Sequence, residues 1–404
     1  MHRSAPPGHG RDRSGRYTPP QVDILVVTAW SPWGDDGNSI ILGHQLPRLA
    51  DRHRLTIFSA SPADGAGPLP VRSFSRSWPA AVDYLLRRGR GLLAGEPAHV
   101  YWVERRRLRS VLRRQLAEQR PDLLYLFGWG TSRLARLAPG IPTVHFAIDP
   151  WSDALGNRLL PRWRRITDAG TRRLVAGHEA RWYLRTGAVV VVAAEDADRL
   201  AQRAPGARVV VVPNGVDLGP EPTPPPVGPV VGFHGNFTVE ANVEAARALV
   251  SVVLPALRAR MPDTRVILVG RDPPAEVVDL AGPAVTVTGA VPDVRPWLEQ
   301  MAVYLAPMTH GVGLKNKVLE AMAAGRPAVV TPLGLQGIGA GDGVVSADLP
   351  ELAEVTLELL ADPARAAAIG AAGRARVRRD FTWDQSTATL EQLFEEVVAA
   401  ASVA

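Results

Sequence analysis

A chain of 404 residues, 46% hydrophobic and 21% charged, carries enough apolar material for two globular cores and too much for a disordered or fibrous protein. It has no cysteine, which excludes disulfides, zinc-thiolate sites and cysteine nucleophiles, and no apolar run approaches the roughly eighteen residues of a membrane span. The net charge of +6 is unevenly spread: residues 1–216 hold 32 Arg against 18 acids, and 217–404 hold 12 Arg and 2 Lys against 22 acids. The basic half predicts an anionic acceptor or membrane surface as a partner, with a solvated basic face as the plain alternative.

The first stretch, MHRSAPPGHGRDRSGRYTPP, lacks the apolar core of a signal peptide and reads as a disordered tail (1–20) on a cytoplasmic protein, peripheral at the inner membrane face if the basic half touches lipid. From Val22 onward short β-branched runs alternate with helical stretches: VDILVVT, SIILGHQLPRLADRH and LTIFSAS, then PDLLYLFG, IPTVHFAID, AVVVVAAE and RVVVVPN. Continuous apolar strands between amphipathic helices imply a parallel sheet covered on both faces, so 21–217 is expected to be a doubly wound α/β domain. The proline-rich LGPEPTPPPVGP (218–229) breaks the periodicity where the charge balance reverses, and reads as a linker. The alternation then restarts with PVVGFHG, RVILVG, AVTVTG, VYLAPM and PAVVTP, giving a second Rossmann-like domain over 230–380. A last helix at 381–404 is free to cross back to the first domain. Two such domains facing each other leave a cleft at the carboxyl ends of their strands, where ligands bind.

Both lysines of the chain lie in HGVGLKNKVLEAMAAGRPAVVT (310–331), although 44 arginines are available elsewhere. Gly311 and Gly313 permit positive φ and close backbone approach, and the helix that follows offers unpaired N–H groups. Asn316, Lys317 and Glu320 share one helical face. Glycines, lysines and a carboxylate at this spacing suit a diphosphate beside a ribose; the plain alternative is an exposed helix with a Lys317–Glu320 surface pair.

VVPNGVDL (211–218), VILVG (266–270), VTVTGAVPDVRPWL (285–298) and GVGLKNKVLEAMAAGRPAVVTPLG (311–334) resemble the GT-B glycosyltransferases, in particular the retaining family 4 group, over roughly 20–395. The resemblance implies two Rossmann-like domains in the GT-B arrangement and transfer of a sugar from a nucleotide-sugar to an acceptor hydroxyl of a small molecule, lipid or glycan. No metal or other cofactor and no nucleic-acid partner is expected. It assigns Glu320 to the ribose hydroxyls, the backbone at Gly311, Gly313 and Leu314 to the diphosphate, and Gly289 to Val291 to the base. His310, Val312 and Asn316, with Gly235 and Asn236 after the first strand of the second domain, complete the expected donor side. Two departures stand out. Val312 occupies a position where many members carry a glutamate, and GFHGNFTVEANVEA (232–245) lacks their basic pair. Lys315 and Lys317 are therefore expected to neutralise the leaving group, with Lys317, nearest Glu320, foremost.

On the acceptor side, WSPWGDDGN (30–38) offers Gly34 and Gly37 for a tight turn and Asp35 or Asp36 for acceptor hydroxyls. HFAIDPWSD (145–153) offers His145, Asp149 and Trp151. Asp149, at the strand end, is preferred as the polar cleft residue and becomes the base if configuration inverts; His145, inside the strand, suits a satisfied core histidine. DAD (196–198) reads as helix N-terminal charge rather than metal binding. GWGT (128–131) fails the dinucleotide pattern, where Arg133 replaces glycine, so nicotinamide binding is set aside. VERRRLRSVLRRQ (103–115) could meet anionic lipid. Rival readings are a nucleotide-sugar epimerase and a non-catalytic nucleotide-sugar-binding partner.

Overall fold

The computed structural model describes residues 21–403 apart from 35, 63–66, 75–88, 92, 105 and 157–161. The tail at 1–20 and Asp35 lie outside the described residues.

The first domain is organised by seven parallel strands: β1 (Asp23–Thr28), β2 (Arg54–Ser59), β3 (Val71–Ser73), β4 (Leu123–Phe127), β5 (Thr143–Ile148), β6 (Ala188–Val191) and β7 (Val209–Val211). Their order is β3-β2-β1-β4-β5-β6-β7, so the chain reverses direction across the sheet between β1 and β4. Strands such as LLYLF and AVVV are buried throughout because helices cover both faces, which is why they read as continuous apolar runs.

The second domain repeats the plan with β8 (Val230–His234), β9 (Arg265–Val269), β10 (Val285–Val287), β11 (Val303–Ala306), β12 (Ala328–Val330) and β13 (Val344–Ser346), in the order β10-β9-β8-β11-β12-β13. Here the reversal falls between β8 and β11. Loops leaving those two strands diverge and open a crevice; His234 ends β8 at its edge, and the loop after β11 carries the glycine-bearing stretch 310–315.

Two segments cross between the domains side by side, joined by Val216 N–H donating to Phe381 O at 2.9 Å. Beyond the second crossing, helix Trp383–Val403 returns to the first domain, where Leu390, Leu393, Phe394 and Val397 enter its core. The proline run does not bridge empty space. Arg295 and Arg374 each donate to Leu218 O at 2.7 Å, and the fully buried Arg326 reaches Thr223 O. Carbonyls with no helix or ladder to serve are thus satisfied by guanidinium groups of the second domain.

Candidate functional site

The loop after β11 has Gly311 at φ 133° and Gly313 at φ 71°, conformations that side chains resist. Gly313 also faces the first domain: a Cβ there would lie 3.4 Å from Asp149 Oδ2. Helix Asn316–Ala323 follows, burying Val318, Leu319, Ala321 and Met322 against the core and turning Glu320 towards β8. Glu320 Oε2 accepts from His234 Nε2 at 2.6 Å, while Glu320 stays 42% exposed and His234 5%. The carboxylate is fixed on one side and open on the other.

Lys317 extends from the same face. Its ammonium donates to Asn242 Oδ1 and lies 5.3 Å from the ring centroid of Phe233. Burial lowers its pKa to about 7, helped by the Lys315 charge and opposed by Glu320. Asn242 Nδ2 in turn donates to Asn236 O at 2.7 Å, tying Lys317 to the Gly235–Asn236 turn. Gly235 is needed there because a Cβ would approach Asn242 Nδ2 to 2.9 Å.

Lys315 has a different place from the one expected. Instead of projecting to a loop-held anion, it folds beneath the loop and donates to Val312 O at 3.0 Å, Gly313 O at 2.8 Å and Gln336 Oε1 at 3.3 Å. Burial lowers its pKa to about 8, against the raising effect of Asp196, Asp149 and Glu195 of the first domain. The same acids join the domains: Gln336 Nε2 donates to Asp196 Oδ1 at 3.3 Å and Gly337 N–H to Glu195 Oε2 at 3.1 Å. The DAD stretch thus supplies one first-turn acid, Asp196, to helix Ala194–Arg203, and the same residue makes an interdomain contact.

Asp149 ends β5 just after Ile148, whose φ of 76° turns the chain into the cleft. Burial, then Asp196, raises its pKa to about 7, against Lys315 and Trp129. Its Oδ1 is buried without a hydrogen-bond partner. His145 is excluded from the acceptor set: it is wholly buried, bonded to Gly128 O at 3.2 Å and packed on Tyr183 at 4.9 Å, and burial drives its pKa to about 3. Asp36 caps helix Gly37–Ala50 through Asn38 N–H at 2.9 Å and Ser39 N–H at 3.2 Å, so its oxygens serve the helix rather than an acceptor. Gly34 is held close by Ser39, whose Oγ would meet a Cβ at 2.8 Å. Trp151 is only 6% exposed and stacks behind Trp129 with centroids 5.9 Å apart, so it supports the cleft wall without forming it.

Of the remaining donor-side residues, His310 Nδ1 pairs with Glu244 Oε2 at 3.0 Å, and Asn316 Oδ1 accepts from Asn214 Nδ2 of the first domain at 3.2 Å. Gly289 adopts φ 70° and accepts from Gly270 N–H at 3.3 Å, while Val291 packs on the core. A cavity of about 340 Å³ lies between the domains, lined by Asp153, Arg172 and Arg199 from one and Gly311, Val312, Leu333 and Gln336 from the other. Sequence reasoning missed His234, Asn242, Glu195 and Gln336 as site residues. Asn242 did leave a signal: it is a polar residue on a helix face otherwise made of Ala241, Val243, Ala245 and Ala246.

Residues 37–219 match the family description "Glycosyltransferase Family 4", and residues 228–362 match "Glycosyl transferases group 1". The chain is a GT-B family member of the family 4 type. Among relatives of this family 4 chain, the phosphatidyl-myo-inositol mannosyltransferase of Mycolicibacterium smegmatis is 29% identical over 220 residues, covering 50% of this chain and 56% of that protein. A GDP-mannose-dependent monoacylated alpha-(1-6)-phosphatidylinositol monomannoside mannosyltransferase of Corynebacterium glutamicum is 39% identical over 82 residues, covering 20% of this chain and 19% of that one. The matched stretches thus span only about a fifth to somewhat over half of these curated relatives. Solved structures extend the GT-B fold over almost the whole chain. Sucrose-phosphate synthase of Thermosynechococcus elongatus superposes with TM-score 0.68 at 16% identity, covering 94% of this chain and 100% of that one. Anabaena HepE in complex with UDP gives 0.63 at 16% identity, covering 93% and 100%.

Proposed function

We propose that this protein transfers a sugar from a nucleotide-sugar, bound on the second domain, to an acceptor hydroxyl presented by the first, with retention of configuration and with protein cations rather than a metal facing the diphosphate. The observation that carries the reading is the pairing on one short helix of Glu320, open on one side for two ribose hydroxyls, and Lys317, placed beside it by Asn242. Departure of a nucleoside diphosphate builds negative charge on the leaving group. Backbone N–H groups of the loop and helix start, with Lys317, are the groups that would stabilise it in a water-poor cleft. Lys315 contributes by holding the loop carbonyls inward, which leaves the N–H groups to face the ligand.

The mannosyltransferase relatives, two of them named for GDP-mannose, make GDP-mannose the first donor to test, with UDP-glucose, bound in one of the HepE structures, beside it. The test is binding by thermal shift or calorimetry followed by nucleotide release with and without acceptors. Saturation at about 100 times Kd should stabilise the binding domain by roughly 2.7 kcal/mol. Absence of binding to any nucleotide-sugar would overturn the reading; release independent of every acceptor would mean transfer to water and count against the acceptor, binding with no release under any condition would favour a silent binder, and isomerised sugar an epimerase. One observation favours an inverting outcome instead: Asp149 combines a pKa near 7 with a place beside Gly313, as a general base requires. The anomeric configuration of the product, read by NMR, decides between the two.

A further inference from the structure

Arg133, the residue that breaks the dinucleotide pattern after GWGT, belongs to a second concentration of charge. None of its members lines the cavity between the domains. Arg133 and Arg136 lie three apart on the short 3-10 helix Ser132–Leu137, and Arg109 and Arg113 lie four apart on helix Arg106–Glu118, so each element presents two like charges on one face. Both pairs reach the same place. Arg136 Nη2 donates to Glu104 Oε2 at 2.8 Å, and Arg133 Nη1 lies 3.6 Å from the same oxygen. Burial, then Arg136, lowers the pKa of Arg109, against Glu104, with Arg113 and Arg90 adding to the fall. Arg90 and Arg133 both lie over the buried ring of Tyr101, 4.8 and 5.3 Å from its centroid. Glu96, whose charge also acts on Arg133, is already engaged by His178 Nδ1 at 2.6 Å, Trp182 Nε1 at 2.8 Å and Arg181 Nη1 at 3.3 Å. Among the described residues no acid besides Glu104 lies within ion-pair distance of the five arginines. Arg109 Nε and Arg133 Nε and Nη1 are buried and find no hydrogen-bond partner in the protein.

We propose that Arg109, Arg113, Arg133, Arg136 and Glu104 form a binding site for inorganic phosphate on the first domain, separate from the interdomain cleft. The inference is independent of the transferase reading. Guanidinium forks arriving from two separate elements suit a tetrahedral oxyanion, whose oxygens point apart, better than a planar carboxylate. Tyr101 and Glu104 hold part of the cluster before any ligand arrives, which lowers the cost of ordering long side chains. Glu104 decides which oxyanion is taken. Its Oε2 serves Arg136, while Oε1 is buried with no partner, and a carboxylate oxygen only accepts. Inorganic phosphate at neutral pH keeps a P–O–H that can donate to it. Sulfate and phosphodiesters have no such hydrogen, and phosphomonoesters have mostly lost theirs, their second pKa being about 6. The carboxylate that repels those anions therefore admits phosphate.

The experiment titrates the full chain with sodium phosphate at constant ionic strength, with sulfate, dimethyl phosphate and glycerol 3-phosphate as comparison anions. Calorimetry reads the heat, and NMR follows the arginine Nε–H signals. Wild type should bind phosphate saturably and roughly tenfold tighter than sulfate or dimethyl phosphate, the worth of one charge-assisted hydrogen bond. Glycerol 3-phosphate should gain on phosphate as pH falls to about 6, where the ester regains its proton. Arg109→Gln and Arg136→Gln should each weaken phosphate binding by about tenfold, and Arg109→Lys by less. Glu104→Gln should erase the preference over sulfate while keeping anion binding, because an amide can donate to any oxyanion. Circular dichroism without added anion shows which variants are folded; should Glu104→Gln fail to fold, the Arg109 variants and the anion series decide. Lys317→Ala, which removes the cation of the donor side, should leave phosphate binding intact. Phosphate bound no better than sulfate by wild type, binding untouched by Arg109→Gln, or binding lost in Lys317→Ala instead would each overturn the site.

Discussion

Asn242 holds Lys317. The amide oxygen of one accepts from the ammonium of the other, while Phe233 lies beneath and the Asn242 amide nitrogen grips the turn at Asn236. The segment that resembles a donor-domain loop without its basic pair thus places a cation that belongs to a different element. Replacing Lys317 with Ala should lower turnover by about two to three orders of magnitude, the scale of losing one preorganised charge-stabilising donor, with a much smaller change in Tm. Asn242→Ala should lower turnover less and leave the charge in place, so that added salt depresses it further. Turnover unchanged in Lys317→Ala would remove the leaving-group role.

Nucleotide affinity should depend on pH through the same lysine. Its folded pKa, lowered from 10.5 to about 7 mainly by burial, must rise when a diphosphate arrives. The bound state then holds more protons than the free state, so affinity should fall as pH climbs from about 7 towards 9, with proton uptake on binding. Calorimetry in buffers of different ionisation enthalpy reads that uptake directly, and Lys317→Met should abolish it.

Glu320→Gln separates ribose recognition from phosphate recognition. Wild type should prefer a ribonucleotide over its 2′,3′-dideoxy analogue by roughly tenfold or more, the worth of one charge-assisted hydrogen bond. The variant should bind the two nearly alike. His234→Ala should show a weaker form of the same defect, since it releases the carboxylate from its 2.6 Å partner.

Lys315→Met tests a mechanical role. With the ammonium gone, Val312 O, Gly313 O and Gln336 lose a shared donor, and the acids opposite lose a counter-charge. Amide hydrogen exchange over 311–315 should accelerate before the protein unfolds globally, and nucleotide affinity should drop while the Lys317-dependent pH profile persists.

The basic half of the chain offers one surface test. Helix Arg106–Glu118 buries Leu108 and Leu112 and leaves Arg106, Arg107, Arg113 and Arg114 exposed. Vesicles rich in phosphatidylglycerol should retain the protein at low salt and release it at about 0.5 M, where the Debye length shrinks to a few ångströms. Gln at those four positions should abolish retention; equal retention would argue for a merely solvated face.

The two parallel sheets were legible because buried strands such as AVVV and LLYLF leave unbroken apolar runs; their strand order and switch points were not, because an apolar run does not say which strand lies beside it. The helix bearing Glu320 was legible because its polar face is spaced at three and four residues. Side chains whose purpose depends on a partner far away in sequence were not. Asn242 and Lys317 are 75 residues apart, and Gln336 and Asp196 are 140 apart. Lys315 and Lys317 shared one expected role on the sequence, with Lys317 foremost, because helical spacing says nothing about a residue just before the helix. Lys315 sits at φ −91°, ψ 74°, outside helical geometry, and that turn directs it under the loop. His145 and Asp149 were told apart by strand position alone, whereas Asp36 misled because an aspartate two residues before a helix interior suits an acceptor and a cap equally.

The paired crossings between the domains have a consequence for how the reactants meet. Val216 and Phe381 are bonded to each other, a Cβ on Gly215 would press to 2.3 Å from Trp383 N, and His44 stacks on Trp383 with centroids 4.4 Å apart and planes at 5°. The proline run is bonded to the second domain, so among the described residues the main chain passes between the domains at this narrow waist. Motion about such a point is rotation. Rotation about the waist would have to break the bonds of Asn316, Gln336 and Gly337 to the first domain, and it would widen the cleft most on the side opposite the waist.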